Sequence, residues 1–154
     1  MSHDPFLRPE QASAAEAIAT IGEDLALFDD WMDRYQFIID LGRKLPPFPE
    51  SWKDDAHRVQ GCQSKVWMES RARDGVIEFA GASDAAIVSG LVALLLRVYS
   101  GRSAAEILAT GPEFLKELGL LEALSTNRGN GIAAMARRVR AIAERVLEHD
   151  TVLE

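Results

Sequence analysis

The strongest constraint on the fold is an apolar segment near the middle of the chain. Residues Ala85–Tyr99 carry apolar side chains almost all round a helix, interrupted by Ser89, Gly90 and Arg97. A helix without a polar face has to be covered on every side, and this one is shorter than the roughly 20 residues that cross a bilayer. We therefore predict that it is the central helix of a packed core and not a membrane span.

The residues before this helix have the pattern of an antiparallel hairpin. Residues 66–73 alternate between two faces, Asp74-Gly75 is a strong two-residue turn, and Val76–Phe79 supplies the returning strand. We assign a short third strand to His57–Gln60. Together with helical segments on both sides, the pattern predicts an α+β fold in which a small antiparallel sheet of about three strands packs against several helices.

Two helices are predicted before the sheet. Ser13 and Glu16 have capping-box spacing, which indicates a first short helix that ends at Gly22. From Asp24 to about Leu45, apolar residues recur at intervals of three and four, the pattern of an amphipathic helix with one buried face. The residues assigned to that buried face are Leu27, Phe28, Trp31, Met32, Tyr35, Ile38, Ile39 and Leu41.

Further helices are predicted after the sheet. Ser83 or Asp84 is expected to cap the central helix, and the spacing of Ser103 and Glu106 predicts a short helix, followed by another at Glu113–Leu118. A last helix is expected to close over the core with one apolar stripe. That stripe comprises Ile132, Met135, Ala136, Val139, Ile142, Ala143 and Val146.

The chain as a whole is predicted to be one domain, residues 1–154, with residues 1–23 as an N-terminal helical extension. Its 24 acidic against 17 basic residues give a net charge of −7, which argues against nucleic acid as a partner. The first residues lack the basic and apolar layout of a signal peptide. A single cysteine excludes an internal disulfide and suits a reducing compartment, so we expect a cytoplasmic protein without a membrane partner.

That single cysteine, Cys62, follows Gly61 in a turn that leads directly into the first strand. A cysteine reacts as the thiolate, and its ordinary pKa of about 8.5 means that a reactive cysteine needs nearby positive charge or backbone donors. Without further information, a lone cysteine is more often a small buried apolar residue than a reactive one.

Arg128 lies among turn-forming residues, Asn127 to Gly131, which predicts a charged side chain on a structured loop. On spacing alone it would be a solvated loop charge. Lys65 and His57 flank the predicted strand, where surface cations are common.

The segment Gly61-Cys62-Gln63-Ser64, followed by Val66-Trp67, resembles the sulfur-acceptor loop of the SufE family. Further stretches match in the same order, so the resemblance spans roughly residues 24 to 147. These stretches are Tyr35–Pro46, Ser83–Leu91 and Arg128–Met135.

The resemblance implies a fold similar to SufE and to iron–sulfur scaffold proteins of the IscU type. It also implies that Cys62 takes persulfide sulfur from a cysteine desulfurase, either SufS-like or CsdA-like, and stimulates that enzyme without turnover of its own. The sulfur would pass to a SufBCD-like assembly scaffold. The chain would hold no cofactor or metal, because pyridoxal phosphate belongs to the desulfurase. We expect a monomer or a weak homodimer.

Particular residues receive roles from the resemblance. Arg128 would lie near the cysteine loop, and the loop that contains Asp84 would border the thiol and meet the desulfurase. Gly61, Gln63 and Ser64 would support the loop, with Lys65 and His57 as weaker candidates.

Two other classes of function stay open at this point. A cysteine hydrolase would need a well-placed histidine, and the one downstream of Cys62 is His149, near the end of the chain. An iron–sulfur scaffold would share the expected fold, but clusters are normally held by about four ligands, mostly thiolates. Both alternatives are weaker than a sulfur acceptor with one thiol.

Overall fold

A computed structural model describes residues 4–120, 124 and 126–153 of the chain. Helices and a short sheet form an α+β fold with its apolar core around one helix, as predicted. Within the described residues, no helix is both long enough and apolar enough to span a membrane. The elements are α1 (Ala14–Ala26), α2 (Trp31–Arg43), a 3-10 turn (Glu50–Trp52), β1 (Val66–Arg73), β2 (Val76–Ser83), α3 (Ala86–Tyr99), α4 (Ala104–Ala109), α5 (Phe114–Glu117) and α6 (Thr126–Leu153).

The predicted hairpin is confirmed. Strands β1 and β2 pair antiparallel, with Val66 opposite Ser83 and Arg73 opposite Val76. Asp74 and Gly75 have φ angles of 54° and 81°. Two consecutive positive φ angles are what a tight hairpin turn requires, and Asp-Gly provides them at low cost.

The predicted third strand is reduced to a single bridge, so the sheet described here has two strands. Arg58 bridges Trp67, and only two backbone bonds flank the bridge, from Val59 N–H to the Val66 oxygen and from Met68 N–H to the His57 oxygen, each 2.9 Å. Turns at residues 55–57 and 60–61 leave too little extended chain for a longer ladder. The bridge nevertheless ties the chain before Cys62 to β1.

The boundary between the first two helices differs from the prediction. Gly22 lies inside α1, which continues to Ala26, and α2 begins only at Trp31. Asp30 sets that start, because its carboxylate accepts the N–H of Asp33 at 2.9 Å as an N-cap.

The apolar face predicted to begin at Leu27 is also partly wrong. The Ile38 side chain is fully buried, but Leu27 is 78% exposed, Met32 83% and Trp31 36%. The periodicity shows that apolar residues share one side of the segment. It does not show that the rest of the same chain covers all of that side.

Helix α3 is the centre of the core, as predicted. It packs against β2 and α2, and its side chains Leu91, Val92, Leu94, Leu95 and Leu96 are at most 1% exposed. The predicted cap is wrong, because the N-cap position is Ala85, which has no side-chain cap. Asp84 instead accepts a hydrogen bond from the chain before β1.

Helix α6 begins earlier than the turn-forming residues suggested. It starts at Thr126, so Arg128 lies in its first turn and not on a loop. Glycine costs a helix about 1 kcal/mol per residue, but packing of the following apolar stripe outweighs that propensity. The stripe is confirmed, with Ile132, Met135 and Val139 at most 1% exposed.

Candidate functional site

The cysteine loop is a tight turn between the Arg58 bridge and β1. Gly61 has a φ of 92°, and a Cβ added there would lie 3.2 Å from the Cβ of Ala134. Only glycine adopts that φ readily, and the space beside α6 is already taken. Glycine at this position therefore lets the loop turn and press Cys62 against α6.

The Cys62 thiol is half-buried between the loop and α6. Its Sγ donates to the carbonyl oxygen of Gly131 at 3.5 Å, and a Cβ at Gly131 would lie 3.6 Å from Sγ. Burial raises the pKa of Cys62, and the positive charge of Arg58 partly opposes that rise. In this conformation the protein holds a protonated, sheltered thiol and not an exposed thiolate.

A cavity of about 270 Å³ opens beside the thiol. Its lining comes from the cysteine loop, from α3 and from α6. The aliphatic part is well buried, since Val88, Leu91 and Met135 are between 1% and 7% exposed. The lining residues are Cys62, Gln63, Ser64, Val88, Leu91, Arg128, Gly131 and Met135.

Arg128 is the charged residue on the wall of this cavity. It projects from the first turn of α6, and its guanidinium carbon lies 5.7 Å from the centroid of the Tyr35 ring on α2. The structure therefore brings Arg128 to the cavity that contains Cys62. It is a cation that an anionic sulfur in the cavity would meet.

Gln63 and Ser64 lie on the cavity wall, whereas Lys65 and Asp84 hold the base of the loop. The N–H of Lys65 donates to Asp84 Oδ1 at 3.0 Å, and the Asp84 N–H donates to the Lys65 oxygen at 3.2 Å. Asp84 thus fixes the end of the cysteine loop to the segment that starts α3. Lys65 takes part through its backbone and does not line the cavity.

His57 lies in a separate polar cluster beside the Arg58 bridge. Its Nδ1 is 2.7 Å from Asp54 and its Nε2 is 2.7 Å from Glu69, while its ring stacks on Trp52. The hydrogen bond to Asp54 is the main reason that the pKa of His57 is raised. His57 therefore supports the chain leading to Cys62, and it does not line the thiol cavity.

This cluster makes folding stability depend on pH. Because the pKa of His57 is raised by folding, its ion pairs stabilise fully below the unfolded pKa of about 6.5, and that contribution disappears as pH rises through the folded value. Asp54 is 48% and Glu69 35% exposed, so His57→Gln should lower the free energy of unfolding by about 1 kcal/mol or less near pH 6.

Urea unfolding of both proteins at several pH values checks this prediction. The difference between wild type and His57→Gln should shrink at alkaline pH. A difference that does not change with pH would assign the role of His57 to stacking on Trp52.

Arg58 is the cation that the sequence interpretation missed. It lies four residues before Cys62, and its charge acts on the thiol because the turn at Gly61 folds the chain back. The preceding bridge to Trp67 holds it there. Arg58 is four residues from Cys62 in the sequence and Lys65 is three, so sequence proximity alone could have identified Arg58 as a candidate cation.

The site does not favour the two alternative classes. Of the two histidines that the structure describes, His57 and His149, neither lines the thiol cavity. A cysteine hydrolase needs such a base within hydrogen-bond reach of the thiol. Among the described residues, no group of three or more His, Cys, Asp or Glu is placed to hold a metal ion.

Comparisons with known proteins agree with the resemblance noted in the sequence. The family model described as "SufE: Fe-S metabolism associated domain" matches residues 19–143. An uncharacterized SufE-like protein of Rhizobium meliloti is 42% identical over 127 residues, which cover 79% of this chain and 91% of that protein. The sulfur acceptor protein CsdE of Escherichia coli is 36% identical over 129 residues, 82% of this chain and 88% of that protein.

The fold has a counterpart among solved structures. The solution structure of a hypothetical protein from Thermus thermophilus superposes with a TM-score of 0.69 at 22% identity, covering 88% of this chain and 96% of that one. At this identity the likeness concerns the fold alone. The match to the family model and the identity to its members are sufficient for assignment, and the chain belongs to the SufE family.

Proposed function

We propose that this protein is a sulfur acceptor of iron–sulfur metabolism that carries sulfur on Cys62. The observation that carries the proposal is the position of this thiol in a cavity that is also lined by the apolar residues Val88, Leu91 and Met135 and by Arg128. Membership of the SufE family and similarity to a protein named as a sulfur acceptor support it. The donor is a cysteine desulfurase, either SufS-like or CsdA-like.

The transfer step is a thiol exchange in which sulfur itself moves. The Cys62 thiolate attacks the outer sulfur of the desulfurase persulfide, and a new S–S bond forms as the old one breaks. The desulfurase cysteine leaves as a thiolate and takes up the proton that Cys62 released. The product is Cys62–S–SH, and no external oxidant or reductant is consumed.

The cavity suits the product of this step. The space of about 270 Å³ is large enough for one additional sulfur atom beside Sγ. Val88, Leu91 and Met135 supply an apolar side for the added sulfur, and Arg128 supplies positive charge for a persulfide anion. In this proposal the cavity limits exchange of the persulfide with solvent thiols between donor and recipient.

The resting position of Cys62 has a consequence for its partner. Burial raises the pKa of Cys62, and Sγ donates to the Gly131 oxygen, so the thiolate forms more readily once the sulfur leaves this contact or gains positive charge. We infer that docking of the desulfurase supplies that change. The pyridoxal phosphate that releases sulfur from cysteine stays on the desulfurase, and this chain needs no cofactor for its own step.

The recipient in this proposal is a SufBCD-like scaffold for cluster assembly, in the cytoplasm. The loop that contains Asp84 is bonded to Lys65 and lies at the base of the cysteine loop, so a partner that contacts either segment acts on both. We propose these segments as part of the surface that partners meet.

The test of the proposal is the turnover of a desulfurase. A desulfurase that holds its product as a bound persulfide cannot start another cycle until the sulfur leaves. Alanine production from cysteine should therefore rise when this protein is added, and the protein alone should produce none. Absence of stimulation with both SufS-like and CsdA-like enzymes would contradict the proposal.

Replacing Arg128 by alanine should slow sulfur transfer. Arg128 lines the thiol cavity, and loss of its charge should lower the rate about tenfold, which corresponds to a rise of about 1.4 kcal/mol in the barrier. The melting temperature should change little, since Arg128 is exposed and substitutions at exposed positions usually change stability by about 0.5 kcal/mol or less. Single-turnover transfer from a persulfidated desulfurase measures the rate.

Arg137→Ala is the matched control for this change. Arg137 is exposed on α6, and nine residues of helix place it on the face opposite Arg128. It should transfer sulfur like wild type. Equal slowing by both variants would mean that the transfer rate depends on the net charge of the protein and not on the position of Arg128.

A further inference from the structure

The start of α2 carries an exposed apolar surface that the rest of the described chain leaves uncovered. Met32 is 83% exposed, Leu27 78% and Trp31 36%. Trp31, Met32 and Tyr35 line one groove of about 340 Å³, and we call these three residues the α2 patch. Exposed apolar side chains that cluster on the surface of a soluble protein often mark a site of interaction with another molecule.

The α2 patch is continuous with the thiol cavity. Tyr35 belongs to the patch, and the guanidinium of Arg128, which lines the cavity, lies 5.7 Å from its ring. Trp31 is one helical turn from Tyr35, about 6 Å along the axis. The patch therefore begins at the rim of the cavity and extends roughly 12 Å from Arg128.

The usual size of a protein interface determines whether a desulfurase docked at the cavity would also contact the α2 patch. Direct exchange between two sulfurs requires the donor persulfide to enter the mouth of the cavity. A specific interface covers about 800 Å² on each partner, which corresponds to a disc with a radius of roughly 16 Å. An interface of this size around the mouth of the cavity is wide enough to include Tyr35 and Trp31, which lie within roughly 12 Å of Arg128.

Charge around the α2 patch indicates what kind of surface fits it. Three exposed carboxylates, Asp29, Asp30 and Asp33, surround Trp31 and Met32. Arg34 is turned inward, with its guanidinium over the Trp31 ring and its Nε bonded to the Phe28 oxygen. A complementary partner would present apolar side chains surrounded by lysine or arginine.

Resting on the proposed function, we propose that the α2 patch docks the cysteine desulfurase through an apolar, basic-rimmed surface beside its persulfide. The patch would set the position and orientation of the donor, while the cysteine loop and Arg128 handle the sulfur. Binding and transfer would then depend on different residues. That separation makes the proposal testable.

The test compares Met32→Lys with a matched control, Leu147→Lys. Met32→Lys removes an exposed apolar contact and places positive charge against a basic partner. Leu147 is 42% exposed on α6, sixteen residues after Gly131 and thus about 24 Å along the helix. Both are large apolar residues at the surface, so neither change should unfold the protein.

Binding to the desulfurase is measured by calorimetry, and stimulation by alanine production over a range of acceptor concentrations. Met32→Lys should raise Kd at least tenfold, about 1.4 kcal/mol, and raise the half-stimulating concentration in parallel. Stimulation at saturation and alkylation of Cys62 by iodoacetamide should match wild type. Leu147→Lys should bind like wild type, and added salt should weaken wild type more than Met32→Lys.

Three results would overturn the inference. If wild type binds and stimulates but Met32→Lys does so equally, the patch is not a desulfurase surface, although the proposed function stands. If Met32→Lys instead changes the sedimentation of the protein alone and leaves Kd unchanged, a second copy of this chain occupies the patch. If wild type neither binds nor stimulates a desulfurase, the proposed function fails and the inference fails with it.

Discussion

Replacing Cys62 by serine is expected to abolish desulfurase stimulation while leaving the fold intact. The serine hydroxyl can still donate to the Gly131 oxygen, and the exchange of one sulfur for oxygen hardly changes side-chain volume. A neutral hydroxyl, however, does not attack a persulfide at a useful rate. Alanine production with Cys62→Ser should therefore stay at the level of the desulfurase alone.

This variant separates relay from activation. Circular dichroism and unfolding by urea serve as controls for the fold, and Cys62→Ser should match wild type in both. Equal stimulation by the two proteins would mean that docking alone activates the enzyme. Cys62 would then have no part in the stimulation, and the protein would be an allosteric activator.

The largest expected loss of stability comes from replacing Gly90 by alanine. Helices α2 and α3 touch through their backbones at Gly42 and Gly90. A Cβ on Gly90 would overlap the carbonyl oxygen of Ile38 and lie 2.6 Å from its carbonyl carbon, and a Cβ on Gly42 would lie 2.6 Å from the Gly90 nitrogen. All three of these atoms belong to the backbone and not to a flexible side chain, so the two helices would have to separate.

Overpacking of this kind costs about 1–3 kcal/mol, and more where backbone has to move. Alanine improves helix propensity over glycine by about 1 kcal/mol, which does not offset the separation of two core helices. We expect a net loss of about 2 kcal/mol in the free energy of unfolding. Urea unfolding at constant pH measures it.

Gly22→Ala is the matched control for Gly90→Ala. Gly22 also lies inside a helix, but a Cβ there would meet only the end of the Leu118 side chain, at 3.3 Å. That flexible group can move, so this variant should be neutral or up to about 1 kcal/mol more stable. A similar loss in both variants would show that the contact between α2 and α3 is not the cause.

Local patterns in the sequence were sufficient for the central elements of the fold. Asp74-Gly75 predicts the hairpin because the turn chemistry is local, and the apolar segment ending at Tyr99 has to be buried whatever surrounds it. The contact between Gly42 and Gly90 could not be predicted in this way. It depends on how two helices cross, and each glycine alone resembles a weak point in a helix.

In the candidate site, too, the features set by local sequence were predictable and those set by tertiary packing were not. Gly61 and Cys62 stand out in the sequence because glycine before a lone thiol is a local feature. The helical start around Arg128 was not predictable, since packing of α6 on the cysteine loop overrides the propensity of its glycines. The exposure of Met32 was also missed, because periodicity groups apolar residues without saying which surface covers them.

The most direct test of the account is the mass of the protein after incubation with a cysteine desulfurase and cysteine. Wild type should gain the mass of one sulfur atom, the gain should map to the peptide that contains Cys62, and reductant should remove it. Cys62 is the only cysteine in the chain, so the site is unambiguous. No gain in mass, or an equal gain by Cys62→Ser, would contradict the assignment of Cys62 as the sulfur carrier.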